Sequence, residues 1–188
     1  MSHTLNYLQE TRMIADELDH KQVERMVQEL CALRERKGRL WIAGLGGSAA
    51  NASHAANDFR KLCNIEAYCL TDNVAELTAR INDEGFHAAF SERFWEEKDA
   101  LFILSVGGGT VAISAPLVRI GKYAKGRNIT LLGIVGRADG YTATYGDCVI
   151  IVPTVEPSRV TPHTEGWQSV ILHCIVSHPD LQVNKTKW

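Results

Sequence analysis

The chain has 188 residues, 45% of them hydrophobic and 22% charged, with 15 glycines, 5 prolines and a formal net charge of −2. Such a composition describes an ordinary globular domain with a substantial core, most simply a single domain over residues 1–188. It excludes a basic nucleic-acid surface, and with no run of 18 apolar residues it excludes a membrane-spanning helix.

The first 36 residues read as two helices. In the first, Leu5, Leu8, Ala15 and Leu18 approximate one apolar stripe, with Met13 and Ile14 off its line. In the second, Val23, Met26, Val27, Leu30 and Leu33 form a cleaner stripe, and Asp19 with Gln22 fits a capping box at its start. The opening stretch "MSHTLNYLQETRMIADELDHK" is acidic and mixed, unlike a signal or transit peptide. Beyond it, apolar runs at 40–44, 67–70, 100–106, 130–135 and 148–153 alternate with helix-length segments. These are 48–62, 74–98 (broken near Gly85), 111–125 and, after the fifth run, 163–177. Continuous apolar strands alternating with helices predict a three-layer αβα domain around a five-stranded parallel sheet, carrying a helical N-terminal extension. Five scattered cysteines without a C-x-x-C pair (Cys31, Cys63, Cys69, Cys148, Cys174) are expected to be reduced core thiols of a cytoplasmic protein.

Two strand ends are glycine-rich: "GLGGS" after the first and "SVGGGT" after the third. Ligands of open parallel sheets sit at the carboxyl ends of the strands, so both loops are expected to line one crevice. Backbone amides at the start of a helix accept a phosphate without a basic side chain, and Ser48, Ser105 and Thr110 add hydroxyls. A dinucleotide fingerprint fits poorly, because Glu66 precedes the second strand and Asp72 follows it. The P-loop signature is absent.

Behind the first loop, His54 and Asp58 stand four residues apart and share a helical face. Glu165 and His173, eight apart, can share a face of the last helix. The first spacing equally suits a solvated surface pair, and a lone histidine in "VILHCIV" equally suits a packed core. Taken together, two imidazoles and two carboxylates make a set suited to zinc or to acid–base chemistry.

The stretch "GLGGSAANASHAANDF" resembles the pattern G-N-G-G-S-A-A-D-A-x-H-F-A-x-E-L of the sugar isomerase (SIS) domain family, in its phosphoheptose isomerase branch. "INDEGFHAAFSERF" is similar to that branch's A-N-D-x-G-F-x-x-x-F-S-R, "SVGGGTV" stands where it has S-T-S-G-N-S, and "GRADG" where it has T-G-x-D-G-G. The resemblance implies a flavodoxin-like SIS fold and interconversion of sedoheptulose 7-phosphate and a mannoheptose 7-phosphate. It also implies homotetramers with sites between subunits, which the helices of residues 1–36 would support. Substrate contacts then fall on Leu45, Gly46, Gly47, Asn82, Asp83, Ser105, Val106, Gly107 and Thr110, joined by Ser48 and Glu165. The zinc-associated positions fall on His54, Asp58, Glu165 and His173, with Asp58 and His173 as the acid/base pair.

The departures from the pattern matter as well. Asp58 replaces glutamate, Glu165 replaces glutamine, and Leu45 replaces asparagine. Val106 and Gly107 replace hydroxyl residues, and Gly109 replaces an asparagine. These losses keep two other readings open: a non-catalytic sugar-phosphate-binding or regulatory protein, or an isomerase for a modified sugar phosphate. Arg137 and Arg159 are the cations that could supplement the phosphate site, and nothing in their spacing assigns them to it.

Overall fold

A computed structural model of the chain describes residues 2–91 and 95–186. Helix α1 (His3–Glu17) begins where the Ser2 hydroxyl accepts the Leu5 amide, and α2 (His20–Glu35) where Asp19 Oδ1 accepts the Lys21 and Gln22 amides at 3.0 and 3.3 Å. On α2 the predicted stripe is the buried one: Val23, Met26, Val27, Leu30 and Leu33 pack the helix against the sheet's last strand and the final helix. On α1 the prediction holds for Leu18, which packs against the core, and fails for the rest of the stripe. Ile14 is buried, whereas Leu5, Leu8, Met13 and Ala15 are exposed. The docked face of α1 is Tyr7, Glu10, Ile14 and Leu18, and two of those four are held by polar or ring contacts that an apolar stripe does not reveal.

Five parallel strands follow: β1 (Leu40–Ala43), β2 (Ala67–Cys69), β3 (Ala100–Ser105), β4 (Thr130–Val135) and β5 (Cys148–Ile151), in the spatial order β2-β1-β3-β4-β5. Alternation along each strand feeds two cores. Phe102 and Leu104 join Ile42, Leu132 and Ile150 beneath α2, α3 (Gly47–Cys63) and α7 (Val160–Val176). Leu101, Ile103 and Leu131 join Trp95 and the buried face of α5 (Ala115–Gly126). Both faces being covered, the strands read as unbroken apolar runs, and the expected three-layer α/β architecture is the observed one.

Three segments depart from expectation. In the segment 74–98 the expected break is present, α4 (Val74–Glu84) ending at Gly85, whose φ of +90° no helix accommodates; the departure is that a single 3₁₀ turn, Phe86–Ala88, follows in place of further helix. Glu92, Arg93 and Phe94, at the end of the "INDEGFHAAFSERF" motif, lie outside the described residues. The predicted helix over 111–125 begins four residues late, with Pro116 in its first turn, where a missing amide costs nothing. A five-residue helix, α6 (Tyr141–Tyr145), lies between β4 and β5 where no element was predicted.

The strand order reverses between β1 and β3, since the chain leaves β1 outward to β2 and returns to β1's other side. Loops leaving two such strands diverge to opposite faces of the sheet and open a crevice between them. All five cysteines are free. Cys63, Cys69 and Cys148 are buried, and burial pushes the Cys63 thiol up to about 12 and that of Cys148 to about 11. Cys174 is exposed, contrary to the expectation of core thiols throughout.

Candidate functional site

The turn between β1 and α3 is shaped by its glycines. Gly46 has φ +61° and ψ −130°, a conformation that disfavours any side chain. At Gly47 a Cβ would sit 2.5 Å from Glu165 Oε2, so the glycine lets α7 approach the start of α3. The loop after β3 is held from behind. The carbonyl oxygens of Val106, Gly108 and Gly109 accept the amides of Gly136, Thr142 and Tyr141, each at 2.9 Å, and Thr142 Oγ1 adds a bond to Gly108 at 2.8 Å. Carbonyls that would repel an anion are thereby committed to the neighbouring loop.

The two loops enclose a cavity of about 300 Å³. Leu45 and Ser48 line it from the first, Ser105, Val106, Gly107 and Thr110 from the second, and Arg137 enters from the loop after β4. The expected common crevice is therefore present, although its donors are fewer than the residue types suggest. The Ser105 hydroxyl accepts the Gly108 amide at 3.1 Å and keeps its own proton available. The Thr110 hydroxyl is spent inside its loop, bonded to the Ile113 carbonyl at 3.2 Å and amide at 3.0 Å. Because that turn delays α5 to Ala115, the second loop does not lie directly on a helix N-terminus as the first does. Gly46 shapes the turn without lining the cavity. Asn82 and Asp83 are exposed on α4, bonded to each other at 2.8 Å and outside the cavity wall.

Further along α3, His54 and Asp58 share one helical face, as expected. Helices α3 and α7 pack side by side, running the same way, pinned by Asn51, whose Nδ2 donates to the Glu165 carbonyl at 2.8 Å and to Gln168 Oε1 at 3.1 Å. Neither Asn51 nor Gln168 is among the expected site residues, although Asn51 lies one turn before His54 and Gln168 one turn after Glu165. Their pinning brings His54 Nε2 within 3.1 Å of both His173 Nε2 and Asp58 Oδ2, and His173 Nε2 within 3.8 Å of the same oxygen. The two imidazoles are more than half exposed, while Asp58 is 15% exposed.

These three are the cluster with metal-ligand spacing among the described residues. Around a tetrahedral zinc ion with bonds of about 2.0–2.1 Å, neighbouring donor atoms stand about 3.3 Å apart, so the set fits such an ion and leaves a coordination position free. Glu165 is not in the cluster. Eight residues of helix separate it from His173, about 12 Å along the axis, and its carboxylate lies instead against Gly47 at the cavity end.

His163 and Arg159 belong to a different cluster. His163 is buried, its Nε2 2.8 Å from Glu10 Oε2, and Tyr7 stacks on its ring at 4.3 Å. Arg159 Nε donates to the same carboxylate at 2.8 Å, and the guanidinium, followed by the imidazole, holds the Glu10 carboxyl down at about 2. These contacts make His163 a buried strut on α7, and they occupy Arg159 away from the crevice.

No protein-family model matches the chain. It is 33% identical over 153 residues to the lincomycin biosynthesis protein LmbN of Streptomyces lincolnensis, covering 75% of this chain and 56% of that protein. It is 30% identical over 154 residues to phosphoheptose isomerase 1 of Campylobacter jejuni, covering 78% of this chain and 81% of that protein. Its fold superposes on the structure of a phosphoheptose isomerase from Neisseria gonorrhoeae with a TM-score of 0.79 at 23% identity, covering 92% and 95% of the two chains.

Proposed function

The chain belongs to the phosphoheptose isomerase family of SIS-domain phosphosugar isomerases, and from that premise we propose that it interconverts sedoheptulose 7-phosphate and a mannoheptose 7-phosphate through an enediol(ate). The observation that carries the reading is the convergence of His54, Asp58 and His173 from two helices beside a loop-lined cavity at the reversal of strand order. In the proposed reaction the phosphate occupies the cavity, against the amides of the first loop and the Ser48 and Ser105 hydroxyls. The carbonyl end extends toward the trio. Ser48 and His54 are six residues apart on α3, about 9 Å, so a ligand touching both must be elongated, as a seven-carbon chain is.

Asp58 then takes a proton from the carbon beside the carbonyl while His173 gives one to the carbonyl oxygen. Return of the proton to the neighbouring carbon, with loss of one from the adjacent hydroxyl, completes the isomerisation. Zinc held by His54, Asp58 and His173 would supply Lewis-acid polarisation of the carbonyl oxygen. Glu165, expected as a fourth ligand, is better suited to contacting substrate from the cavity end.

The exposed apolar residues of α1 support assembly of a homotetramer with sites between subunits, and five free thiols support a cytoplasmic setting. The test is turnover of sedoheptulose 7-phosphate by zinc-loaded protein, with Asp58→Asn and His173→Ala beside it. Turnover that is lost in both variants is expected, and unchanged turnover in both would remove the assigned roles. The internally bonded Thr110 hydroxyl favours a second reading, a non-catalytic sugar-phosphate binder. That reading predicts ligand-induced thermal stabilisation without turnover.

A further inference from the structure

The cavity that receives the phosphate in the proposed reaction is poor in side-chain donors. Val106 and Gly107 offer none, and the Thr110 hydroxyl is committed to its own loop. Among the described residues one charged side chain lines it, that of Arg137. Arg137 also lines an adjoining cavity of about 600 Å³ beyond the ends of β4 and β5, and Val106 is shared by the two. Arg137 thus stands on the wall common to both spaces.

Its backbone is fixed there. The preceding Gly136 amide donates to Val106 at 2.9 Å, and Gly140 lies so close to the Gly107 carbonyl that no side chain fits between them. The side chain is paired as well: Nε donates to Asp139 Oδ1 and Nη2 to Asp139 Oδ2, both at 3.0 Å. That fork occupies the Nε edge of the guanidinium. Nη1 has no hydrogen-bond partner among the described residues, so the end edge, formed by Nη1 and the second Nη2 hydrogen, is available to a further bidentate acceptor. The pair is exposed, 61% and 69%, and contributes little to stability. A guanidinium with one edge paired to a carboxylate and the other unpaired, on a residue that lines the cavity, can receive a phosphate monoester, whose oxygens match the fork.

We propose that Arg137 is the residue that grips the phosphate of the substrate, in an orientation set by Asp139, and that it replaces the charge and donors the glycine-rich loop lacks. The identity of the rest of the ligand rests on the isomerase reading, whereas the phosphate contact does not. Two measurements on the full-length protein test it, using Arg137→Gln, Arg137→Lys and, as a control, the exposed Arg127→Gln. The first is the affinity for inorganic phosphate by titration calorimetry, and the second is KM and kcat for sedoheptulose 7-phosphate.

Loss of a charged hydrogen-bonded pair is expected to weaken phosphate binding and raise KM by about tenfold or more in Arg137→Gln, with kcat changed far less. Arg137→Lys recovers part of the affinity, because it keeps the charge and loses the fork. The phosphate affinity of the unsubstituted protein also falls more steeply with salt than that of Arg137→Gln. Equal phosphate affinity and KM in Arg137→Gln and Arg127→Gln would overturn the proposal while leaving an active isomerase intact. Phosphate binding that depends on Arg137 in a protein without isomerase activity would retain this site and remove the proposed function.

Discussion

Helix α7 carries two histidines ten residues apart, and each meets a carboxylate from another helix. At its start His163 meets Glu10 of α1; near its end His173 meets Asp58 of α3. The first cluster is sealed and saturated: His163 is 4% exposed, Tyr7 covers its ring, and Arg159 takes up the rest of the carboxylate. The second is open. His54 and His173 stand more than half exposed, and Asp58 turns one oxygen to both rings while Asn57 donates to the other at 3.1 Å. Equivalent residue types therefore do opposite work. Where every donor and acceptor is satisfied inside the chain, the cluster fastens one helix to another. Where imidazoles converge with solvent access, they stay accessible to the proposed metal and substrate.

Substitution at the two histidines separates these roles most sharply. His173→Ala is expected to lower kcat for the phosphosugar by about 10²–10⁴-fold, the range for loss of a general acid or base, with little change in melting temperature. His163→Ala should do the reverse. Removing the partner of a half-buried carboxylate costs about 1–3 kcal/mol, read as a drop of about 2–4 °C in Tm per kcal/mol, with kcat nearly intact. Comparable loss of kcat in both variants would erase the distinction.

A third variant probes the loops rather than the helices. At Gly140 an added Cβ meets the Gly107 carbonyl, so Gly140→Ala must push the two loops apart at a cost of about 1–3 kcal/mol. KM should rise more than kcat falls, since the cavity wall moves and the trio does not. Steady-state kinetics beside a thermal melt checks both effects.

The smallest effect is a pH dependence confined to the sealed cluster. The Glu10 carboxyl is held at about 2, against an ordinary value of 4.5, by Arg159 and then His163. A depressed carboxylate contributes stability that is complete above about 4.5 and is lost as pH falls through about 2. Attachment of α1 should therefore persist to about pH 4.5 and loosen below it, measured as amide exchange or protease cleavage within residues 3–17. Loosening that begins near neutrality would contradict the assignment.

Much of this was legible in the sequence because burial on both faces writes strands as unbroken apolar runs. The five strands, the two glycine loops and the i, i+4 pair of His54 and Asp58 follow from local pattern alone. The face of α1 was not legible, because Glu10 and Tyr7 dock through partners about 150 residues away. The separation of Glu165 from the trio was hidden for a related reason. Two residues eight apart share a face in projection, yet they stand about 12 Å apart along the axis. Arg137 was a candidate in the sequence beside Arg159, but its place on the cavity wall follows from the bonding of the loop after β4 to the loop after β3, a pairing that no spacing encodes.

The central claim, that Asp58 moves a proton between neighbouring carbons of a sugar phosphate, is tested most directly by following isomerisation in deuterated water. The zinc-loaded protein should incorporate solvent deuterium at the carbon that changes between aldose and ketose. Asp58→Asn should lose that incorporation while still binding inorganic phosphate as the unsubstituted protein does. Incorporation by Asp58→Asn at the unsubstituted rate would contradict the account.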